Sequence, residues 1–168
     1  MSRSKGTLHM LCGKIAAGKS TLSDELGKAE NTVVISEDRW IAQLYPSEIK
    51  GLGDYFERSE RLRVTLAPHI VDLLRVGVSV VLDFPANTKR QRAWFRQLIE
   101  MSGSDHELHF IVASDELCKR QLKQRSQELG LPPGTKWTTE ADFDEITAYF
   151  DPPAADEHFN VIRHERHE

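Results

Sequence analysis

Cysteine is scarce in this chain. Cys12 and Cys118 are the only two in 168 residues, too few for a disulfide framework. No apolar run approaches the roughly 20 residues that a membrane-spanning helix needs. The opening Met1-Ser2-Arg3-Ser4-Lys5-Gly6 lacks the apolar core of a signal peptide. These absences point to a cytoplasmic protein without a membrane partner. Neither sign of charge dominates: 22 Lys+Arg stand against 26 Asp+Glu, a formal net charge of −4. A nonspecific nucleic-acid binder carries a basic excess, so nucleic acid is not the favoured partner, although a local basic groove stays open. Repeats, linkers and low-complexity segments are also missing. One domain over residues 1–168 is expected, long enough to bury a real core, as a monomer or a homodimer.

What is present is sharper. Gly13-Lys14-Ile15-Ala16-Ala17-Gly18-Lys19-Ser20 fits G-x-x-x-x-G-K-[ST], the phosphate-binding P-loop. Glycines at its turns let the backbone fold round an anion with N–H groups aimed inward. A helix opening at Gly18 adds its positive dipole end. Lys19 would reach the β- and γ-phosphates, and the Ser20 hydroxyl would hold Mg²⁺. The flanks agree with the motif. Thr7 to Cys12 reads as a short buried strand, with Cys12 as a packing residue. Ser20 to Lys28 reads as a helix, with Leu22 and Leu26 one turn apart.

The rest of the chain alternates in type. Strands are expected at Thr32–Ser36, Val78–Leu82, Leu108–Val112 and Phe159–Ile162. Helices are expected at Asp38–Tyr45, at Phe56–Val76 with a kink at Pro68, and at Thr88–Met101 behind a capping box of Thr88 and Gln91. Two more are expected from Ser114 to Leu129 and from Thr139 to Phe150. Ser47 to Tyr55 reads as a mobile loop, and the breaker-rich stretch around Gly130-Leu131-Pro132-Pro133-Gly134 as another. Alternating strands and helices make a parallel α/β sandwich with right-handed crossovers.

Ligands in such a sheet sit beyond the carboxyl ends of the strands. Asp38 follows the second strand and Asp83 closes the third, so both face the P-loop crevice. A carboxylate there can take a proton from an attacking hydroxyl or hold Mg²⁺ through water. A helix N-cap is the alternative for Asp38, a loop cap on Thr88 or a backbone amide for Asp83, and a plain turn residue for Asn87. Phosphoryl transfer also needs mobile cations. Lys119, Arg120, Lys123, Arg125 and Lys136 form a candidate cluster, with a solvated basic face as the alternative. Arg58, Arg61 and Arg63 read as a solvated face. His106/His109 and His164/His167 have a spacing reminiscent of metal ligands, but no carboxylate-and-histidine framework accompanies them, so zinc is not expected.

Taken together, these stretches resemble the small P-loop kinases grouped as predicted ATP-binding AAA-type proteins. That group includes the kinase domain of polynucleotide 5′-kinase and is related to zeta-toxin and adenylate kinase-like enzymes. The resemblance runs through Gly13 to Thr21, Ile35-Ser36-Glu37-Asp38, Val80-Val81-Leu82-Asp83, Asn87-Thr88 and Cys118-Lys119-Arg120…Arg125. It implies a three-layer, nucleoside/nucleotide kinase-like fold with a parallel sheet of about five strands, helices on both faces, and a lid at about 126–138. It implies ATP and Mg²⁺ as cofactors, with Gly13, Lys14, Ile15, Ala16, Ala17, Gly18, Lys19, Ser20 and Thr21 around the nucleotide, and Ser20 and Asp83 at the metal. By the same resemblance, Asp38 matches the acceptor-activating aspartate, Arg120 the transition-state arginine and Arg125 a second lid arginine. Two departures stand out. The usual Pro-Gly inside the loop is Ile15-Ala16. The arginine that polynucleotide kinases place three residues after the catalytic aspartate is Ile41, which favours a small-molecule acceptor over a nucleic-acid end. A GTPase is excluded: no N-K-x-D is present, and Asp83-Phe84-Pro85-Ala86 lacks the glycine of D-x-x-G. Phe84 also stands where a motor ATPase carries its water-activating Glu.

Overall fold

The computed structural model describes residues 4–132, 135 and 138–167. Strands β1 (Thr7–Cys12), β2 (Thr32–Ser36), β3 (Ser79–Pro85), β4 (Asp105–Val112) and β5 (Val161–Glu165) form one sheet in the order β2-β3-β1-β4-β5. Every pairing is parallel. The helices are α1 (Lys19–Leu26), α2 (Glu37–Leu44), α3 (Leu52–Arg75), α4 (Lys89–Ser102), α5 (Asp115–Glu128) and α6 (Glu140–Thr147). The expected three-layer α/β architecture is the one found.

Strand alternation sorts the core into two layers. Leu8, Met10 and Cys12 of β1, Val80, Leu82 and Phe84 of β3 and Leu108 of β4 point to one face. There they pack with Ile41 of α2, Leu62, Leu66, Ile70 and Leu74 of α3, and Phe95 and Leu98 of α4. The other face gathers Ile111, Ala17, Cys118, Leu122 and Phe143 beneath α1, α5 and α6. Sheets covered on both sides carry near-continuous apolar strands, which is why β3 was so legible.

Cap chemistry sets the helix starts. Thr88 and Gln91 close a reciprocal box on α4, as do Thr139 and Asp142 on α6, and Ser114 caps α5. The differences from expectation are local. α3 begins at Leu52, inside the segment read as a loop, because the Asp54 carboxylate accepts the Lys50 N–H (3.0 Å) and starts a turn. α3 also runs through Pro68 as one helix. β4 begins at Asp105, three residues early, drawn in by its pairing with Thr7 of β1. β5 lies later than expected. It is an edge strand alternating between exposed and half-buried residues, without an apolar run to mark it.

Beneath α4, Arg92 is fully buried. Its Nε and Nη2 reach Glu157 Oε1 and Oε2 at 2.7 and 3.1 Å. Its Nη1 donates to the carbonyls of Ala86 (2.9 Å) and Asp151 (2.8 Å). One guanidinium thus fastens the segment before β5 to the turn after β3. Burial pushes the Glu157 carboxyl up, but the Arg92 hydrogen bonds and the Ala154 N–H outweigh it and hold it below its ordinary 4.5. Removing one partner of a buried ion pair strands the other charge. Glu157→Ala should therefore cost about 3 kcal/mol in urea unfolding at neutral pH. The carboxylate's contribution should be complete above pH 4.5 and disappear as pH falls through its lowered pKa.

Candidate active site

The chain leaves β1 at Gly13, whose N–H donates to Asn87 Oδ1 at 2.9 Å. A Cβ on Gly13 would meet Ile111 Cβ at 3.3 Å and its carbonyl oxygen at 3.4 Å. The loop turns through two left-handed residues, Ala16 (φ 59°) and Gly18 (φ 108°). A Cβ on Gly18 would lie 2.5 Å from Arg166 Nη1, the tip of a flexible side chain, so it is the left-handed backbone that favours glycine there. α1 then starts at Lys19 without a side-chain cap, which leaves its first N–H groups turned to the loop as an anion site. Ser20 and Thr21 stand exposed in its first turn.

Lys19 lies across this cradle, its ammonium donating to the carbonyls of Gly13 (2.5 Å) and Lys14 (3.0 Å). Burial lowers its pKa, with the nearby Cys12, Asp83, Cys118 and Asp38 pulling the other way. Lys14 points outward to Asp115 of α5 at 2.6 Å. Arg166, just past β5, closes the far side by donating to the Ala17 carbonyl (2.7 Å) and to Gln121 Oε1 (3.1 Å). Cys12 is a packing residue: burial pushes its thiol up to about 12.

Ser20 Oγ donates to Asp83 Oδ2 at 3.2 Å. The Asp83 carboxyl is pushed up, first by burial and then by the charge of Asp38, against the opposing pull of Ser20 and Lys19. Asp83 caps no loop: Thr88 and Gln91 do that for α4. Asn87 is more than a turn residue. Its side chain holds Gly13, and its carbonyl accepts the Asp151 N–H at 2.8 Å.

Asp38 is not a helix cap either. α2 opens one residue earlier than expected, at Glu37, and Ser36 Oγ accepts the Arg39 N–H. Asp38 instead shares the Tyr55 hydroxyl with Glu37. Glu37 is 1% exposed and also accepts from Ser59 Oγ (2.8 Å) and Arg63 Nε (3.2 Å). Burial, followed by the charges of Glu37 and Asp38, raises the Tyr55 pKa far above its usual value, so the phenol stays a donor. Sequence reading passed over Glu37, Tyr55 and Ser59, and Arg63 corrects it outright. Arg63 is not on a solvated face: its guanidinium sits 5.1 Å from the Trp94 ring centre and 5.8 Å from that of Phe84. Trp94 and Phe84 were legible only as apolar residues.

The structure therefore brings Lys19, Ser20, Asp83 and Asp38 together. It leaves Arg120 and Arg125 exposed on α5, a helix tied to the P-loop through Asp115 and Gln121. Lys119 pairs with Asp144 at 2.9 Å and links α5 to α6. Of the segment expected as a lid, 126–138, the residues Pro133, Gly134, Lys136 and Trp137 lie outside the described residues. Ile41, where a nucleic-acid kinase would carry arginine, is 2% exposed and packs into the core.

Comparison with known proteins agrees with this fold. A family described as an AAA domain matches residues 8–153. A candidate kinase from Chloroflexus aurantiacus J-10-fl has a similar fold, with TM-score 0.72 and 16% identity over 96% of this chain and 86% of its own. The APS kinase CysC of Mycobacterium tuberculosis, solved with AMPPNP and APS, gives 0.63 and 18% over 96% and 89%. A chain of the Pnkp1/Rnl/Hen1 RNA repair complex gives 0.63 and 14%, and this chain spans 44% of its length. No curated protein matches the sequence. At these identities the likeness is one of fold. Among the described residues, no helix is long and apolar enough to cross a membrane.

Among the described residues, Lys19 is held by loop carbonyls, so removing it should spare the fold. A hydrogen bond to a charged group contributes about 1.5–3 kcal/mol. Lys19→Ala should weaken ATP binding by roughly ten- to a hundredfold in calorimetric titration, with little change in melting temperature. Unchanged affinity would contradict a phosphate-binding role.

Proposed function

The chain belongs to the AAA-domain family in its small P-loop kinase-like form, and from its site we propose that it transfers the γ-phosphate of ATP to a hydroxyl of a small-molecule acceptor. The observation that carries this reading is Asp38. It stands in the first turn of α2 while Ser36 does the capping, so its carboxylate is spared for chemistry. Its charge reaches both Asp83 and Lys19 across the crevice.

The roles follow from placement. The loop N–H groups and Lys19 bind the phosphates and orient the γ-phosphoryl group. Ser20 and Asp83 supply a hydroxyl and a carboxylate, the hard oxygen donors that suit Mg²⁺, and two crowded carboxylates at that edge suit a cation. Bound there, Mg²⁺ would neutralise charge on the β- and γ-phosphates. Asp38 accepts the proton of the acceptor hydroxyl as it attacks. Tyr55, anchored by the saturated Glu37, holds Asp38 in place. Arg120 and Arg125, on the helix beside the cradle, belong to the reading as the cations that would stabilise the transferring phosphoryl group. A nucleic-acid end is the lesser acceptor, since the buried Ile41 offers no cation to a neighbouring phosphate.

A screen of nucleosides, sugars, antibiotics and nucleic-acid ends for ADP release above background identifies the acceptor. ATP binding with no acceptor-stimulated release would make the protein a nucleotide-binding regulatory module instead. With an acceptor in hand, Asp38→Asn should leave ATP affinity unchanged and lower kcat by about 10²–10⁴-fold. Near-normal turnover would remove Asp38 from the chemistry.

A further inference from the structure

Parallel pairing of β1 with β4 sets His9 beside Glu107 and Leu11 beside His109. Alternation then places His9, Glu107 and His109 on one face of the sheet. Three donor atoms converge there. His9 Nδ1 lies 3.1 Å from Glu107 Oε2, His109 Nε2 lies 3.2 Å from the same oxygen, and the two ring nitrogens are 3.1 Å apart. The rings stack with centroids 5.4 Å apart. Four donors around a tetrahedral zinc ion, at about 2.0–2.1 Å from the metal, stand about 3.3–3.4 Å from one another. The triangle found here has nearly those edges.

We propose that His9, Glu107 and His109 form a three-ligand zinc site that clasps β1 to β4. Hydrogen bonding alone serves this arrangement poorly. Either both imidazoles aim an N–H at one carboxylate oxygen while those nitrogens stand 3.1 Å apart, or one nitrogen turns its lone pair on that oxygen. A single divalent cation satisfies all three lone pairs together, and two imidazoles with a carboxylate suit Zn²⁺ better than Mg²⁺. His109 is 3% exposed, and its other nitrogen, Nδ1, sits 2.9 Å from His164 Nε2. That contact fixes ring orientation and tautomer, as outer partners of zinc-bound histidines do. The His9 and Glu107 side chains are 16% and 34% exposed, which leaves the fourth position to water. The site is separate from the phosphate cradle: His9 precedes Gly13 by four residues of strand and turn, about 13 Å at 3.3 Å per residue.

The histidine pairs suggested by sequence are not the ones used. A strand repeats every two residues, so members of an i, i+3 pair face opposite ways. His106 accordingly turns to Asn160 (3.0 Å) on the other face. Only the fold could join His9 to His109, a hundred residues on.

The test is metal counting on the full chain. After chelator treatment and exchange into excess Mg²⁺, Zn²⁺ titration should show one tight equivalent. Co²⁺ substituted for it should give the intense visible bands of a four-coordinate N,O site. Zn²⁺ should also raise the melting temperature. Glu107→Gln and His9→Gln lie at the open rim and should retain the fold while losing at least tenfold in affinity. His164→Ala should lose about ten- to a hundredfold. The absence of a stoichiometric equivalent in the parent chain, or its persistence at equal affinity in the His9→Gln/Glu107→Gln double variant, would overturn the site and leave a hydrogen-bonded histidine cluster.

Discussion

The turn at Ala86–Asn87 is the joint on which this molecule depends. Arg92 grips it from within α4 through the Ala86 carbonyl. Asn87 then reaches upward to the Gly13 N–H and outward to Asp151. The first residue of the P-loop is thereby registered against the end of β3, which also carries Asp83. Burying a guanidinium costs several kcal/mol. Here that cost is offset by a bidentate carboxylate and backbone carbonyls that would otherwise lack partners. The polar groups of two loops and a buried charge satisfy one another, and the crevice is built on the result.

Two adjacent carboxylates show how environment divides labour. Glu37 faces inward and is saturated by Tyr55, Ser59 and Arg63. Asp38, one residue on, is exposed and shares only the Tyr55 hydroxyl among the contacts described for it. The helix rotates successive residues by about 100°, so adjacent side chains necessarily enter different surroundings. The inner one becomes a fixed counter-charge for Arg63. The outer one keeps acceptor capacity toward solvent.

Features that depend on local chemistry were legible in the sequence. The P-loop, the β3 run and the Thr88 box are each contained within a few residues, and they pointed to the fold and to the crevice that holds Lys19, Ser20, Asp38 and Asp83. What escaped depends on long-range placement. Arg63 looks like one of three surface arginines within six residues, yet its position faces Trp94 and Phe84. Glu37 carries no local sign of burial. His9 and His109 come together only because β1 and β4 are neighbours, and the i, i+3 spacing of the other histidine pairs suits helices rather than strands. Glu157 sits in a segment too polar to suggest that it meets a fully buried arginine.

The threads that close the cradle are long. Ser20 meets Asp83 across 63 positions, Gly13 meets Asn87 across 74, and Arg166 meets Ala17 across 149. Contacts so distant in sequence are slow to form, because closing each loop costs entropy before any contact repays it. A chain that has assembled only its first strands and helices has the motif but not the cradle. A ligand that needs the whole cradle therefore recognises the finished topology. Its binding adds to the stability of the native state by mass action and gives nothing to partly folded forms, so the ligand acts as a thermodynamic seal on the last step of assembly.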